Sequence, residues 1–372
     1  MMTNLSKGFE MSNISDMDSF SLLHHNSGTM NFGAEETVMD SFSVILMNSS
    51  TIFWTGICLW AYIFLVVLAP KPYCKCQTRL DEKVVVITGG SDGVGKVTAI
   101  KLANLGAEII LPCRDLKKGE KVANEIFKKT GNKKVKILYF DFRNLRSVKR
   151  CSDEIKKITT KIDILVNNAG VGHGVGATKD GLPNIFGVNH LGPFLFTTQL
   201  LDLLRRSGSA RVVFVSSVAH LWGNIDFGTL HELDGCSVRS QFQAYSRSKL
   251  ANVLFAKELH RREKNNRITT YVAHPGWTFT SLFRDFPFFL KLVAFPLFYL
   301  FLYLPEEGAQ TQIHLAIARG LEKQSGGYFV SCRPSKSCPN AFDRKLATDL
   351  WSYSENVIAV ALEKSLQTCT SI

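Results

Sequence analysis

The chain has 372 residues, 44 Lys+Arg against 32 Asp+Glu, a net charge of +12, 45% hydrophobic and 20% charged residues. That balance excludes a disordered or collagen-like chain, and nine cysteines are too sparse for a disulfide scaffold. The length suits one large α/β domain with extensions, or two ordinary domains. The charge is uneven: residues 1–40 hold one base and six acids, which leaves +17 on the remainder. Such an excess suggests an anionic partner (nucleic acid, a membrane surface or a phosphorylated cofactor) or a solvated basic surface.

Residues 1–40 are rich in Ser, Asn and Met, show no helical period and read as a disordered tail. From residue 41 to 70 there is no charged side chain. The core of that run, Thr51 to Ala69, is 19 residues long. At about 1.5 Å per residue it matches a hydrocarbon layer of about 30 Å. It lacks the polar stripe of a core helix, so residues 41–70 are expected to form a transmembrane anchor. Asp40 and two glutamates precede it, whereas Lys71, Lys75 and Arg79 follow. Positive flanks stay cytoplasmic, which predicts a single pass with the large domain facing the cytosol, in a membrane such as the endoplasmic reticulum. A cleaved signal peptide, giving a secreted protein, is the rival. It fits less well, because the run starts late and has no basic n-region. Cys74 and Cys76 just past the anchor read as free thiols, with palmitoylation as the alternative. No Cys/His group shows zinc-like spacing, so no metal is expected.

Beyond Arg79, short apolar strands alternate with helices. Strands are predicted at Val84–Thr88, Glu108–Cys113, Val135–Phe140, Ile162–Val166, Arg211–Val215 and Ile268–Ala273. Helices are predicted at Gly93–Leu105, Leu116–Lys129, Leu145–Ile158, Asn184–Arg206 and Gln243–Arg262. This alternation implies βαβ units: a doubly wound, Rossmann-like parallel sheet in one domain spanning about 80–335. Residues 336–372 read as a C-terminal helical extension.

The first strand runs into Thr88-Gly89-Gly90-Ser91-Asp92-Gly93-Val94-Gly95 and then a helix. Glycines there allow close approach of backbone to ligand, and a helix N-terminus offers free N–H groups to a pyrophosphate. At the first β–α turn of such a series, this is a dinucleotide site. The spacing G-x-x-x-G-x-G resembles the TGxxxGxG of the short-chain dehydrogenase/reductase family at Thr88, Gly89, Gly93 and Gly95. The second strand ends Pro112-Cys113-Arg114-Asp115. An acid there would bond the ribose 2′-OH of NAD, whereas an Arg suits a 2′-phosphate. Arg114 comes first and Asp115 suits a helix cap, so NADP(H) is favoured over NAD(H). Asp92 stands where relatives carry a neutral residue and argues mildly the other way.

Tyr245 and Lys249 lie four apart on one helix face, where an ammonium would favour the phenolate and let Tyr245 exchange protons. By itself such a pair is common. Its context is Asn167-Asn168-Ala169-Gly170 after the fourth strand, Asn189 in the next helix, Ser216-Ser217 after the fifth strand, and Pro275-Gly276 after the sixth. That order resembles the short-chain family across about residues 80–330. The resemblance implies Tyr245 as general acid/base and Lys249 as its partner on the nicotinamide ribose. It further implies Ser217, rather than Ser216, on the substrate oxygen and Asn189 supporting a relay water. Cofactor contacts are implied for Gly89, Ser91, Asp92, Gly93, Val94, Gly95, Asn168, Asp141 (adenine), Pro275 and Thr280 (carboxamide).

The phrases Asn189-His190-Leu191-Gly192-Pro193-Phe194, Ser217-Val218-Ala219-His220 and His274-Pro275-Gly276 resemble the retinol-dehydrogenase-like branch. Gly327-Tyr328-Phe329 and Leu350-Trp351 extend the likeness. Trp277 departs from the small residue usual after HPG and is a candidate substrate contact. Phe279 to Leu304 contains eight Phe. Pro287, Lys291 and Pro296 argue against a second span, and the segment reads as an aromatic flap at a bilayer surface. The expected activity is interconversion of a lipophilic alcohol and its carbonyl. A non-catalytic dinucleotide-binding scaffold is the rival. Nucleic acid is not expected, because the basic pairs lack a recognition motif. A homodimer is left open.

Overall fold

In the computed structural model, the described residues are 49–62, 73–276 and 303–370. Residues 49–62 form a helix, in a unit separate from the remainder of the chain. Among the described residues, no helix is long and apolar enough to cross a membrane. The rest of the expected anchor lies outside them, as do the acidic tail, Trp277, Thr280 and most of the Phe-rich segment.

The second unit is built on one eight-stranded sheet: β1 (Val84–Ile87), β2 (Glu108–Cys113), β3 (Val135–Tyr139), β4 (Ile164–Asn167), β5 (Arg211–Val215), β6 (Thr269–His274), β7 (Gly327–Val330) and β8 (Arg333–Ser335). Their order is 3-2-1-4-5-6-7-8, parallel except for the β7–β8 hairpin. Among the described residues of this unit, the helices of eight or more residues are α1 (Gly93–Asn104), α2 (Leu116–Thr130), α3 (Leu145–Ile158), α4 (Gly192–Gln199), α5 (Val238–Glu263), α6 (Pro305–Ile317) and α7 (Arg344–Thr370). The Rossmann-like parallel sheet is therefore present. The sequence reading did not contain β7 or β8, two short strands that the sheet recruits at its edge.

The strands are continuous apolar runs because both faces are covered. Side chains of β1 alternate between two cores. Val84 and Val86 join the layer under α3, α4, α5 and α7, whereas Val85 and Ile87 join the layer under α1, α2 and α6. Each covering helix follows its local sequence. In α3, Leu145, Val148, Cys151 and Ile155 form one buried stripe, and Asn144 caps the first turn by accepting from the Ser147 N–H. Asp115 caps α2 in the same way by accepting from Lys118 N–H at 3.0 Å, the role expected for it.

The predicted helix Asn184–Arg206 is broken into short pieces around a π-turn, Gly187–Leu191. Helix α7 is part of the core: Trp351 meets Phe194 edge-on at 4.9 Å and Phe255 at 5.5 Å. The buried His190 bonds Ser354 through Nε2 at 2.9 Å.

Candidate active site

The strand order reverses between β1 and β4, so the loops after these strands diverge and leave a crevice at their carboxyl ends. The glycine turn fills one lip. Gly89 has φ +66°, a conformation that side-chain-bearing residues rarely adopt. A Cβ on Gly95 would stand 2.3 Å from the Gly89 carbonyl oxygen and 2.4 Å from Asn168 Nδ2. The chain can wrap this tightly only without side chains, and the wrap leaves the first turn of α1 open to a ligand. Asn168 closes the other lip: its Nδ2 donates to the carbonyls of Thr88 (3.0 Å) and Gly89 (3.2 Å). Thr88 Oγ1 accepts from the N–H groups of Asn168 and Ala169, both at 3.1 Å.

Among the expected cofactor residues, Val94 is buried in the wall, and Asp92 is exposed with its carboxylate on the Gly93 N–H at 2.8 Å. Asp92 therefore caps α1 and sets a negative charge at the site's positive end. Arg114 is exposed where β2 ends. Asp141, just past β3, accepts from the Arg143 N–H at 3.1 Å, and its own N–H donates to Ser147 Oγ. Pro275 and Gly276 follow β6 at the same edge. A cradle of backbone N–H groups lined by glycine, with a basic side chain at the end of β2, fits a dinucleotide.

At the carboxyl end of β5, Ser216 and Ser217 separate in role. Ser216 Oγ is buried and donates to the Lys249 carbonyl at 2.9 Å. Ser217 Oγ accepts from Ala219 N–H at 3.2 Å, and Ser217 is near enough to the Tyr245 hydroxyl to influence its ionisation. Lys249, one turn along α5, is 6% exposed. Its Nζ donates to the Val215 carbonyl at 3.2 Å and lies 5.4 Å from the centre of the Tyr245 ring. Asn189 sits in the π-turn, a feature that recurs at functional sites. Its Oδ1 accepts from Val171 N–H, and its Nδ2 donates to Val171 O and to Ser248 Oγ. Gly170 separates the two side chains: a Cβ there would lie 3.1 Å from Asn189 Oδ1 and 3.4 Å from Lys249 Nζ. Ser217, Tyr245, Lys249 and Asn189 thus converge on one edge of the sheet.

Electrostatics differ from the expectation in one respect. Burial pushes the Tyr245 phenol above its ordinary value, against a smaller downward pull from Ser217. Burial also lowers the Lys249 ammonium to about 8. Desolvation sets the direction of both shifts, and with its value raised Tyr245 is a protonated phenol at neutral pH.

Sequence reasoning missed three neighbours. His274 ends β6, Tyr328 lies on β7, and His220 follows β5. His220 donates through Nδ1–H to the Ser217 carbonyl at 2.7 Å, and its ring stands 4.5 Å from that of Tyr328. Burial, with His220 and Lys249 nearby, lowers His274 to about 4. Burial raises the Tyr328 phenol, and Tyr245 adds to this. His274 Nδ1 and Tyr328 OH have no hydrogen-bond partner among the described residues. All three stand in the phrases that resemble the family, but only the closure of the sheet brings them together.

The short chain dehydrogenase family model matches residues 83–229. Retinol dehydrogenase 12 of Bos taurus is 41% identical over 308 residues, covering 81% of this chain and 96% of that protein. Dehydrogenase/reductase SDR family member 13 of Bos taurus is 38% identical over 305 residues, covering 81% and 80%. Among solved structures, an uncharacterized protein from Mycobacterium Paratuberculosis superposes with a TM-score of 0.61 at 31% identity, covering 76% of this chain and 95% of that one. The Pseudomonas aeruginosa RhlG/NADP complex shares the fold, with a TM-score of 0.53 at 24% identity over 69% of this chain and 97% of that one. This chain belongs to the short-chain dehydrogenase family, nicotinamide-dinucleotide oxidoreductases of alcohols and carbonyls.

Proposed function

We propose that the protein is an NADP(H)-dependent oxidoreductase that interconverts a lipophilic, retinoid-like alcohol and its carbonyl at a membrane surface. One juxtaposition carries the reading: Ser217 and Tyr245 beside the buried Lys249, whose Nζ lies 5.4 Å from the centre of the Tyr245 ring, at the edge where the glycine turn opens. The relatives named as retinol dehydrogenases support the substrate class. Arg114 at the end of β2 supports the 2′-phosphate.

When bound, the nicotinamide supplies or accepts the hydride. Gly89, Ser91, Gly93, Val94 and Gly95 would hold its pyrophosphate, Arg114 the 2′-phosphate, and Asp141 the adenine. Asn168, Pro275 and Thr280 would line its path, with Lys249 on the ribose. Ser217 and Tyr245 grip the substrate oxygen. In reduction, Tyr245 gives its phenolic proton to that oxygen, a role suited to a phenol held protonated by burial. Lys249 offsets the phenolate left behind, and Asn189 fixes the π-turn that supports proton resupply. Trp277 and the Phe-rich segment from Phe279 form the substrate wall. Residues 41–70 form the anchor; the exposed Ile52, Phe53, Trp54, Leu59 and Trp60 of the 49–62 helix are apolar surface suited to lipid.

The test uses the membrane-bound full chain with retinal, steroid ketones, polyprenals and alkyl aldehydes, followed by NADPH consumption. Tyr245→Phe is expected to lose about 10²- to 10⁴-fold in kcat while binding NADPH as before. Wild-type turnover that survives the substitution would overturn the role of Tyr245. A wild type inert on the whole panel would overturn the activity.

A further inference from the structure

The entry segment of the second unit carries Cys74 and Cys76, and it is docked on α6 by a hydrogen bond from Cys74 N–H to Gln310 Oε1 at 2.9 Å. One turn further along α6, His314 meets both thiols. Its Nδ1 is 3.9 Å from Cys74 Sγ and 3.8 Å from Cys76 Sγ. The three ligand atoms all lie within 4.8 Å of one another, with Cys74 buried and the other two half-buried. Cys332 packs against the same core layer as Cys74 and Cys76. It is held there by its N–H on Thr311 Oγ1 at 3.3 Å. Cys332 is also one of two residues at positive φ, with Ser331, in the β7–β8 turn, where glycine or asparagine would be cheaper.

We propose that Cys74, Cys76 and His314 bind a zinc(II) ion, with the fourth position left to water or a further ligand. Zinc takes sulfur at about 2.3 Å and imidazole nitrogen at about 2.0–2.1 Å in a tetrahedron. Those bond lengths set the S···N edge at about 3.6 Å. The edges already present exceed that by a few tenths of an ångström, so the side chains need only a small contraction. A single Nδ1 lone pair can accept from one thiol, whereas two thiols converge on it; a cation satisfies both. Binding is balanced by release of thiol protons to solvent, one from each cysteine that ligates, because the thiolate is the ligand. The ion would fasten the chain that leaves residues 41–70 to α6, the helix that follows the Phe-rich segment. This goes beyond the proposed oxidoreductase reading and does not depend on it.

The experiment measures metal content of the full chain, purified reduced in detergent from zinc-supplied cells, alongside Cys76→Ser and His314→Gln. The expected result is about one zinc per chain in the wild type and a loss of at least ten-fold in zinc affinity in either variant. Cobalt(II) substitution should give tetrahedral d–d bands and thiolate charge-transfer absorption that weakens in Cys76→Ser. Should the variants fail to fold, the wild type decides alone: a zinc-selective chelator should lower its unfolding temperature, and re-added zinc should restore it. Wild-type protein with no stoichiometric zinc, or a cobalt spectrum without thiolate bands, overturns the site. So does a disulfide joining Cys76 to Cys74 or Cys332 in protein taken from cells, which would make this a redox pair.

Discussion

Replacing Lys249 by Met separates what this residue contributes to chemistry from what it does to the fold. Burial lowers the Lys249 ammonium from 10.5 to about 8 in the folded chain. A group whose folded value lies below its unfolded value is a destabilising charge at lower pH. The penalty is complete below about 8 and relieved as pH rises toward 10.5. At 1.36 kcal/mol per unit, it amounts to about 3 kcal/mol at pH 7. Methionine has similar length and no charge, so it removes that penalty. It also loses the Nζ bond to the Val215 carbonyl at 3.2 Å, worth about 1 kcal/mol. Lys249→Met should therefore be more stable than the wild type at pH 7 by about 2 kcal/mol, or roughly 4–8 °C in Tm. It should be inactive with carbonyl substrates. The assay is thermal unfolding of the cofactor-free protein in detergent from pH 7 to pH 10.5. The stability gap should close as pH rises and then change sign. A gap that stays constant across that range, or a variant less stable throughout, would refute the assignment of a desolvated ammonium.

The remaining predictions concern the cofactor lip and the histidine beside it. Asp92→Asn keeps the cap on α1, since either side chain accepts from the Gly93 N–H, but removes a negative charge from a phosphate site. KM for NADPH should fall roughly two- to five-fold, with unchanged Tm. Arg114→Ala should raise KM for NADPH by about 10- to 100-fold, the worth of a charge-assisted bond, and leave KM for NADH nearly unchanged; an equal effect on both would remove the 2′-phosphate from its role. His274 is lowered to about 4 in the fold. The unfolded chain takes up that proton near pH 6.5, so stability is lost as pH falls from 6.5 toward 4, by up to about 3 kcal/mol. His274→Gln should flatten this acid branch in denaturant titrations, and an unchanged slope would reassign it to other groups.

What the sequence made legible followed from local rules. The β-branched run at Val84, the glycines after it and the cap at Asp115 act within a few residues of themselves. Pattern alone therefore placed β1, α2 and α3 and the ligand edge. Resemblance favours Ser217 over Ser216; the hydrogen bond from Ser216 Oγ to the Lys249 carbonyl is a long-range contact that no local pattern announces. The electrostatics of the pair were not legible. Four-residue spacing says that Tyr245 and Lys249 share a face, but not how deeply α5 buries both. Depth decided the sign of the phenol's shift.

The features that stayed hidden are those made only by long-range closure of the sheet. Gly327–Val330 is four residues long, and nothing local marks it as a strand; it becomes β7 because β6 offers an open edge. That pairing brings Tyr328 beside His220, more than a hundred positions away. The hairpin to β8 then places Cys332 against the same core layer as Cys74 and Cys76. A Cys-x-Cys pair with its histidine 238 positions further on has no recognisable spacing. Metal motifs are legible in sequence when one hairpin or helix supplies the ligands. Here they come from an entry segment and α6. Those elements are neighbours because the crossover before β7 packs α6 against α1 and β5. The same crossover carries the chain from Pro275 through the Phe-rich segment into α6. A clamp at His314 would thus act on the segment that the proposed function assigns to the substrate wall, and loss of zinc should loosen lipid binding before it disturbs the glycine turn.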